Sequence, residues 1–299
     1  MNFQLTEKAR RTALDRRNFL LGGLATTGLA ACATPTLASP AAAPRLDPTN
    51  AADQQQLVRK MRFRLDDGPV MWWFRGENFV QQGPNLIPLY GLVFGSVMNI
   101  TQRSDGGFDV VQFEMGFRTD LETGKRLTTY RNPLTNKDIE IPFVPVGPFP
   151  LPYSADNTPQ LPETIGGASF HLNHHPERFY QDNGVVSFRY WSTARQSSPT
   201  AKDRTLNDMG IISASAAQAL DPATTWADAW LSGSDVTDVP RWLEMGNVEA
   251  IGTSRMIGRK TDSFDGMPDD WKAMLEEYRP GTLENPMSIL IGSEASYIN

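Results

Sequence analysis

Cysteine is nearly missing: Cys32 is the 1 cysteine among 299 residues. A single thiol makes no intramolecular disulfide and no Cys-rich zinc site. Histidine is scarce too, at 3 residues, and positive charge is in deficit. The 28 Lys and Arg against 34 Asp and Glu leave a formal net charge of -6. Phosphate neutralisation needs clustered basic residues, so a nucleic-acid partner is excluded. The N-terminal apolar run, Phe19 to Ala31, falls short of the roughly 20 residues of a membrane-spanning helix. No GxSxG, no Gly-rich phosphate loop and no HExxH occurs, which argues against a serine hydrolase, an NTPase or a dinucleotide enzyme. What is present, 40% hydrophobic and 21% charged residues, is the composition of a globular body.

The N-terminus reads as an address. Arg16 and Arg17, followed by Asn18, Phe19 and Leu20, resemble the twin-arginine export motif. A short apolar stretch and small residues follow, so residues 1–31 are expected to be a signal peptide handled by the twin-arginine machinery. Leu29-Ala30-Ala31-Cys32 resembles a lipobox, which makes Cys32 the expected acylation site and the membrane a partner through that anchor. The alternative is ordinary signal-peptidase cleavage after Ala38 or Ala43. The expected location is the periplasm or, if acylated, the outer membrane. Residues 1–31 carry five basic and two acidic side chains, so removing them takes the net charge from -6 to -9. Residues 32–58, rich in Pro, Ala, Ser, Thr and Gln, read as a flexible tether with a short helix near Asp53–Arg59.

Residues 59–299 read as a single β-rich domain. Val111, Phe113, Met115 and Phe117 alternate with Gln112, Glu114 and Arg118, the period of a half-buried strand. Tyr90, Leu92, Phe94, Met98 and Ile100 alternate before it, and Ser104-Asp105-Gly106-Gly107 supplies a hairpin turn. Further turns at Asp120–Lys125 and Asn132–Asn136 make a meander, which antiparallel strands permit. Seven prolines within residues 142–162 predict a long wrapping loop. Strands are expected to resume at Ser169–Leu172 and Val185–Thr193. Residues 205–231 read as helical, with Trp226 and Trp230 paired at i, i+4, and strand character returns at Arg241–Glu244 and Ile251–Arg259. A last helix starts at Pro268, with Trp271, Met274, Leu275 and Tyr278 on one stripe. The expected fold is mainly β with minor α: a single antiparallel β-barrel-like or strongly bent meander with a C-terminal helix.

Four short stretches resemble a known family. They are Val70-Met71-Trp72-Trp73-Phe74-Arg75-Gly76, Tyr130-Arg131-Asn132-Pro133-Leu134-Thr135, Trp242-Leu243-Glu244-Met245-Gly246 and Phe264-Asp265-Gly266-Met267-Pro268. Together, over roughly residues 50–285, the chain resembles the bacterial family known as domain of unknown function 1838, whose members often carry twin-arginine signals. Asn136 departs from the family's usual turn Gly, and the Pro-rich loop is longer. The resemblance implies export and one domain, and no catalytic residue.

Candidate chemistry rests on few residues. His171, His174 and His175 lie within five positions; imidazole is the commonest transition-metal ligand and a natural base near neutral pH. They are the expected ligands of a divalent metal, with His171 as a catalytic candidate. On a strand, His171 and His175 share a face. Glu244 beside Trp242 is a candidate general acid, since a carboxyl against an indole has its pKa raised; the competing reading is a surface pair with Arg241 or Arg255. Trp72 and Trp73 face opposite sides of one strand. With Arg75, Tyr130 and Trp242 they form the candidate ligand-binding set, and Arg75 is an anchor for a carboxylate or phenolate. Three functions follow as expectations. The first is an exported envelope protein binding a hydrophobic or aromatic small molecule in a barrel-like interior. The second is a lyase, isomerase or hydrolase using the histidines. The third is a structural envelope lipoprotein.

Overall fold

The computed structural model describes residues 45–291, except 144, 162, 163, 166, 167, 199 and 200. Arg16, Arg17 and Cys32 lie outside the described residues. The alternating stretches form long strands: β1 (Gly68–Gln82), β2 (Asn85–Gln102) and β3 (Phe108–Thr119). The turn between β2 and β3 closes where expected, with Gly106 at a φ of 84° and the Arg103 N–H donating to the Gly107 carbonyl at 2.9 Å. A small hairpin, β4 (Thr129–Arg131) with β5 (Asp138–Glu140), follows. Asn136 sits in its turn at a φ of 58°, a conformation that Asn tolerates better than other side chains.

The remaining strands are β6 (Val146–Tyr153), β7 (Thr164–Ile165), β8 (Ala168–Asp182), β9 (Val185–Ser198), β10 (Ala201–Ser215), β11 (Ala229–Asp238) and β12 (Ile251–Thr261). All strands but β4 and β5 join one sheet, in the order β6-β3-β2-β1-β12-β11-β10-β9-β8-β7. It is antiparallel and curls into a half-barrel rather than closing.

Three stretches differ from the sequence reading. Part of the Pro-rich segment is an edge strand, β6. Pro148, Pro150 and Pro152 alternate, so their nitrogens fall on the outer edge while the intervening residues pair with β3. Consistent with this, the Pro152 carbonyl points outward and accepts from Gln160 at 2.7 Å. Prolines so placed also block pairing with another chain. Residues 205–231 are not a helix. They hold the end of β10, a four-residue helix α2 (Ala216–Ala219), a loop, and the start of β11. Pairing of β10 to both neighbours holds residues 205–215 as strand, and helix survives only in the Ala-rich Ala216–Ala219. Arg241–Leu243 is a single 3-10 turn rather than a strand.

The sheet has a helix on each face. Helix α1 (Ala51–Arg62) starts at Asn50, whose side chain accepts from the N–H groups of Ala52 and Asp53. Its buried Leu57, Val58 and Met61 pack with Val70, Trp72, Ile100, Val110, Phe188 and Ile212. The body therefore begins upstream of residue 59, and the expected tether contributes Leu46, Leu57 and Val58 to the core. The α1 terminus at Arg62 acts on Tyr153 of β6 and on Tyr190 of β9, from opposite flanks of the sheet. Only curling around α1 brings those flanks together, so this face is the concave one. The C-terminal helix α3 (Asp269–Tyr278) packs on the other face, burying Trp271, Met274 and Leu275 against Met71, Val97, Phe113 and Met115. Trp271 donates from Nε1 to the Met115 carbonyl at 2.9 Å. Its ring lies over Gly95, where an added Cβ would come within 2.3 Å.

Candidate functional site

Strand alternation divides the sequence-derived candidates between the two faces. Trp72 is buried on the inner face, its Nε1 donating to the Arg62 carbonyl at 3.0 Å. Trp73 lies on the outer face with the residues that α3 covers. Arg75, of the same parity, is held by Asp270 of α3 at 2.7 Å, so it clamps the helix start and does not face an interior. Tyr130 and Trp242 do come together, on either side of Tyr90 at 5.4 and 5.5 Å between ring centroids. They form a separate small core with Val80, Leu89 and Leu243. The buried amide of Asn132 pins it, donating to the Leu243 carbonyl at 2.7 Å. Glu244 shares no strand face with Trp242. It is exposed at a φ of 48° and paired with Lys137 at 3.0 Å, so it lacks the apolar setting of a general acid.

The histidines separate for the same reason. On β8, His171 and His175 pair in register with Arg195 and Trp191 on the outer face, and His175 stacks on Trp191 at 4.0 Å. His174 pairs with Ser192 and points inward. Burial, then the Arg62 charge, hold its pKa below the usual imidazole value. Among the described residues no three or more His, Cys, Asp and Glu side chains gather as a metal ion would need.

Another constellation occupies the concave face. The register sets Asn78, Ser254, Asp235, Asp208, Ser192 and His174 side by side across six strands. Asp208 and Asp235 are directly opposite, half-buried, and have no ion-pair partner among the described residues. Like charges so placed destabilise a sheet. Burial raises both carboxyl pKa values. The Tyr190 hydroxyl donates to Asp208 at 3.3 Å, and burial lifts that phenol's pKa, with the Asp208 charge adding to it.

Arg62 stands over this row. Its guanidinium lies 4.7 Å from the Tyr190 ring centroid and 5.9 Å from that of Phe188. No side-chain hydrogen bond or close ion pair holds it among the described residues, while its charge acts on Asp208 and opposes the rise that burial gives that carboxyl's pKa. A planar fork with five donors and no acceptor is a ready carboxylate anchor.

The same face carries aromatic rings. Phe74 lies over Gly258, Phe94 over Gly116 and Tyr190 over Gly210, each ring within 3 Å of where a Cβ would stand. Glycines opposite rings let them lie flat on the sheet. Phe74 and Phe94 are 5.8 Å apart and half-buried.

Nearby, Glu114 accepts from Gln112, and burial pushes its carboxyl up to about 7. A groove of about 630 Å³ beside the β1–β2 hairpin is lined by Gln81, Gly246 and Ile251, with Glu249 as its one ionisable lining side chain, so it gathers no comparable chemistry.

Arg62, Asp208 and Asp235 carry no motif in the sequence, and Glu114 reads there only as the polar side of a half-buried strand. One signal was available: Asp235 continues the parity of Leu231 and Gly233, and Asp208 that of Gly210 and Ile212. A charge in an inward parity marks a polar interior. No protein-family model matches the chain, and no curated protein matches it.

Proposed function

We propose that this is an exported binding protein that takes a small aromatic or apolar molecule, ending in a carboxylate or phenolate, on the concave face of its half-barrel. The observation that carries the reading is the Arg62 guanidinium, which no side chain among the described residues hydrogen-bonds, lying over the Tyr190 and Phe188 rings on a face that also carries half-buried Phe74 and Phe94. Arg62 takes the anionic end, the rings take the apolar body, and Asp208, Asp235 and His174 meet a polar substituent. The anchoring role that Arg75 was expected to play passes to Arg62. Anilinonaphthalene sulfonate, an aromatic anion, tests this by fluorescence titration. Arg62→Met should weaken binding about tenfold or more, the loss of a charge-assisted hydrogen bond, while Arg75→Met leaves it unchanged. Equal binding by both variants, with melting temperatures intact, would remove the proposal.

One observation favours a second reading, an acid–base enzyme: two opposed carboxyls with raised pKa values beside Tyr190. Such pairs share a proton and pass it to a bound group. In this reading Asp208 and Asp235 replace the histidine cluster. Turnover of aromatic keto and hydroxy acids, followed by mass and lost in Asp208→Asn and in Asp235→Asn, would establish it. Export through Arg16 and Arg17, acylation at Cys32 and membership of the domain of unknown function 1838 family belong to the same proposal. Incorporation of labelled palmitate, abolished by Cys32→Ser, tests the acylation.

A further inference from the structure

The convex face has two unlike halves. Over β1 to β3 it is covered by α3. Over β8 to β12 it carries large apolar side chains in the open: Ile257 is 61% exposed, Trp230 47%, Trp191 44%, Ile211 44% and Met209 39%. Register places them together. Ile257, Ser232, Ile211 and Arg189 follow one another across β12, β11, β10 and β9. Arg255, Ser234, Met209 and Trp191 form the next row. Large apolar side chains gathered in the open on one face mark an interaction surface.

The charges interleaved with it have one predominant sign. Arg178, Arg189, Arg255 and Arg259 are exposed on this face and have no partner among the described residues. Arg178 and Arg189 stand directly opposite each other. Arg195, further along, is paired with Asp203 at 3.1 Å, and Glu77 sits beside Arg255 in register. The rest of the chain is acidic, so this patch runs against the average. Two copies meeting through it would set arginine against arginine, which disfavours self-association.

We propose that this convex face docks onto a membrane surface bearing anionic lipid headgroups. Tryptophan favours the boundary between headgroups and acyl chains. Arginine covers apolar surface with its stem while its charged end stays with phosphates. Basic residues near an anionic leaflet each strengthen attachment. The concave site then faces away from the lipid, open to a soluble ligand.

The test uses the full-length chain carrying Cys32→Ser, which removes any acyl anchor at that position. Vesicles are phosphatidylcholine alone or an equal mixture with phosphatidylglycerol, with brominated lipid as the fluorescence quencher. Binding through the N-terminal stretch, apolar and with a net charge of +3, is common to all variants and cancels between them, so the comparison of variants decides. Expected are tighter binding to the mixed vesicles, quenched tryptophan fluorescence, and a loss of about fivefold for each arginine changed in Arg189→Gln with Arg255→Gln. Trp191→Ser with Trp230→Ser should reduce the quenching. All four side chains are exposed, so unchanged melting temperatures serve as the folding control. Equal binding to both vesicle types, binding indifferent to the arginine pair, or no binding at all would overturn the proposal. So would a dimer in solution that the same substitutions dissociate.

Discussion

Glu114 couples this fold to pH. Its side chain accepts from Gln112 on the inner face, directly across from Ser96, whose buried hydroxyl has no hydrogen-bond partner. Burial is the dominant influence and lifts its carboxyl from 4.5 to about 7. Between these values the folded protein keeps a proton that the unfolded chain has released, so stability falls as pH rises through that window. A gap of roughly 2.5 pH units at about 1.36 kcal/mol each corresponds to ~3 kcal/mol lost by about pH 8. Glu114→Gln keeps an acceptor for Gln112 and has no charge to bury. Wild type and variant should be similar in stability near pH 4.5, and the variant should be more stable by ~3 kcal/mol near pH 8. Urea unfolding across this range reads the gap as a midpoint about 1 M higher for the variant. Asp208 and Asp235 also have raised pKa values. They act equally in both proteins, so the difference isolates Glu114. Parallel stability curves for the two proteins would refute the reasoning.

Other substitutions probe how the elements are held. Trp271→Ala empties the site between α3 and the sheet and orphans the Met115 carbonyl; thermal and urea melts should show a loss of about 3–5 kcal/mol. Asn132→Ala removes a buried amide that donates to the Leu243 carbonyl and accepts from the Leu134 N–H. It should cost about 1–3 kcal/mol and speed hydrogen exchange around Leu243. Arg75→Ala breaks a half-exposed ion pair with Asp270, so chemical denaturation should register less than about 1 kcal/mol.

Much of the fold was legible because it is local. Period-two alternation in β2 and β3, the Asp105–Gly107 turn and the apolar stripe of α3 are written in residues a few positions apart. The misreadings came where pairing competed with local propensity. The Ala-rich residues before Leu220 do form the short helix α2, while the stretch ahead of them, up to Ser215, is held as strand by β9 and β11. The prolines of residues 146–153 forbid a central strand and permit an edge, and a sequence does not say which strand lies at an edge.

The site was legible only in part. Alternation showed that Trp72 and Trp73 must part, and that His171 and His175 must share a face. It did not say which face curls inward. Nor did it join Arg62, at the end of a helix assigned to the tether, to Tyr190 on β9. Asp208 meets Asp235 through a register between separate strands, set by side-chain packing and turn geometry across the whole sheet.

The sequence by itself therefore determined the strand periods, the turns, the helix stripe and the scarcity of thiol and imidazole, all consequences of residue type and spacing. Only the tertiary structure decided which side of each strand is enclosed. A curled sheet has one concave face, and long-range pairing chooses the side chains that line it.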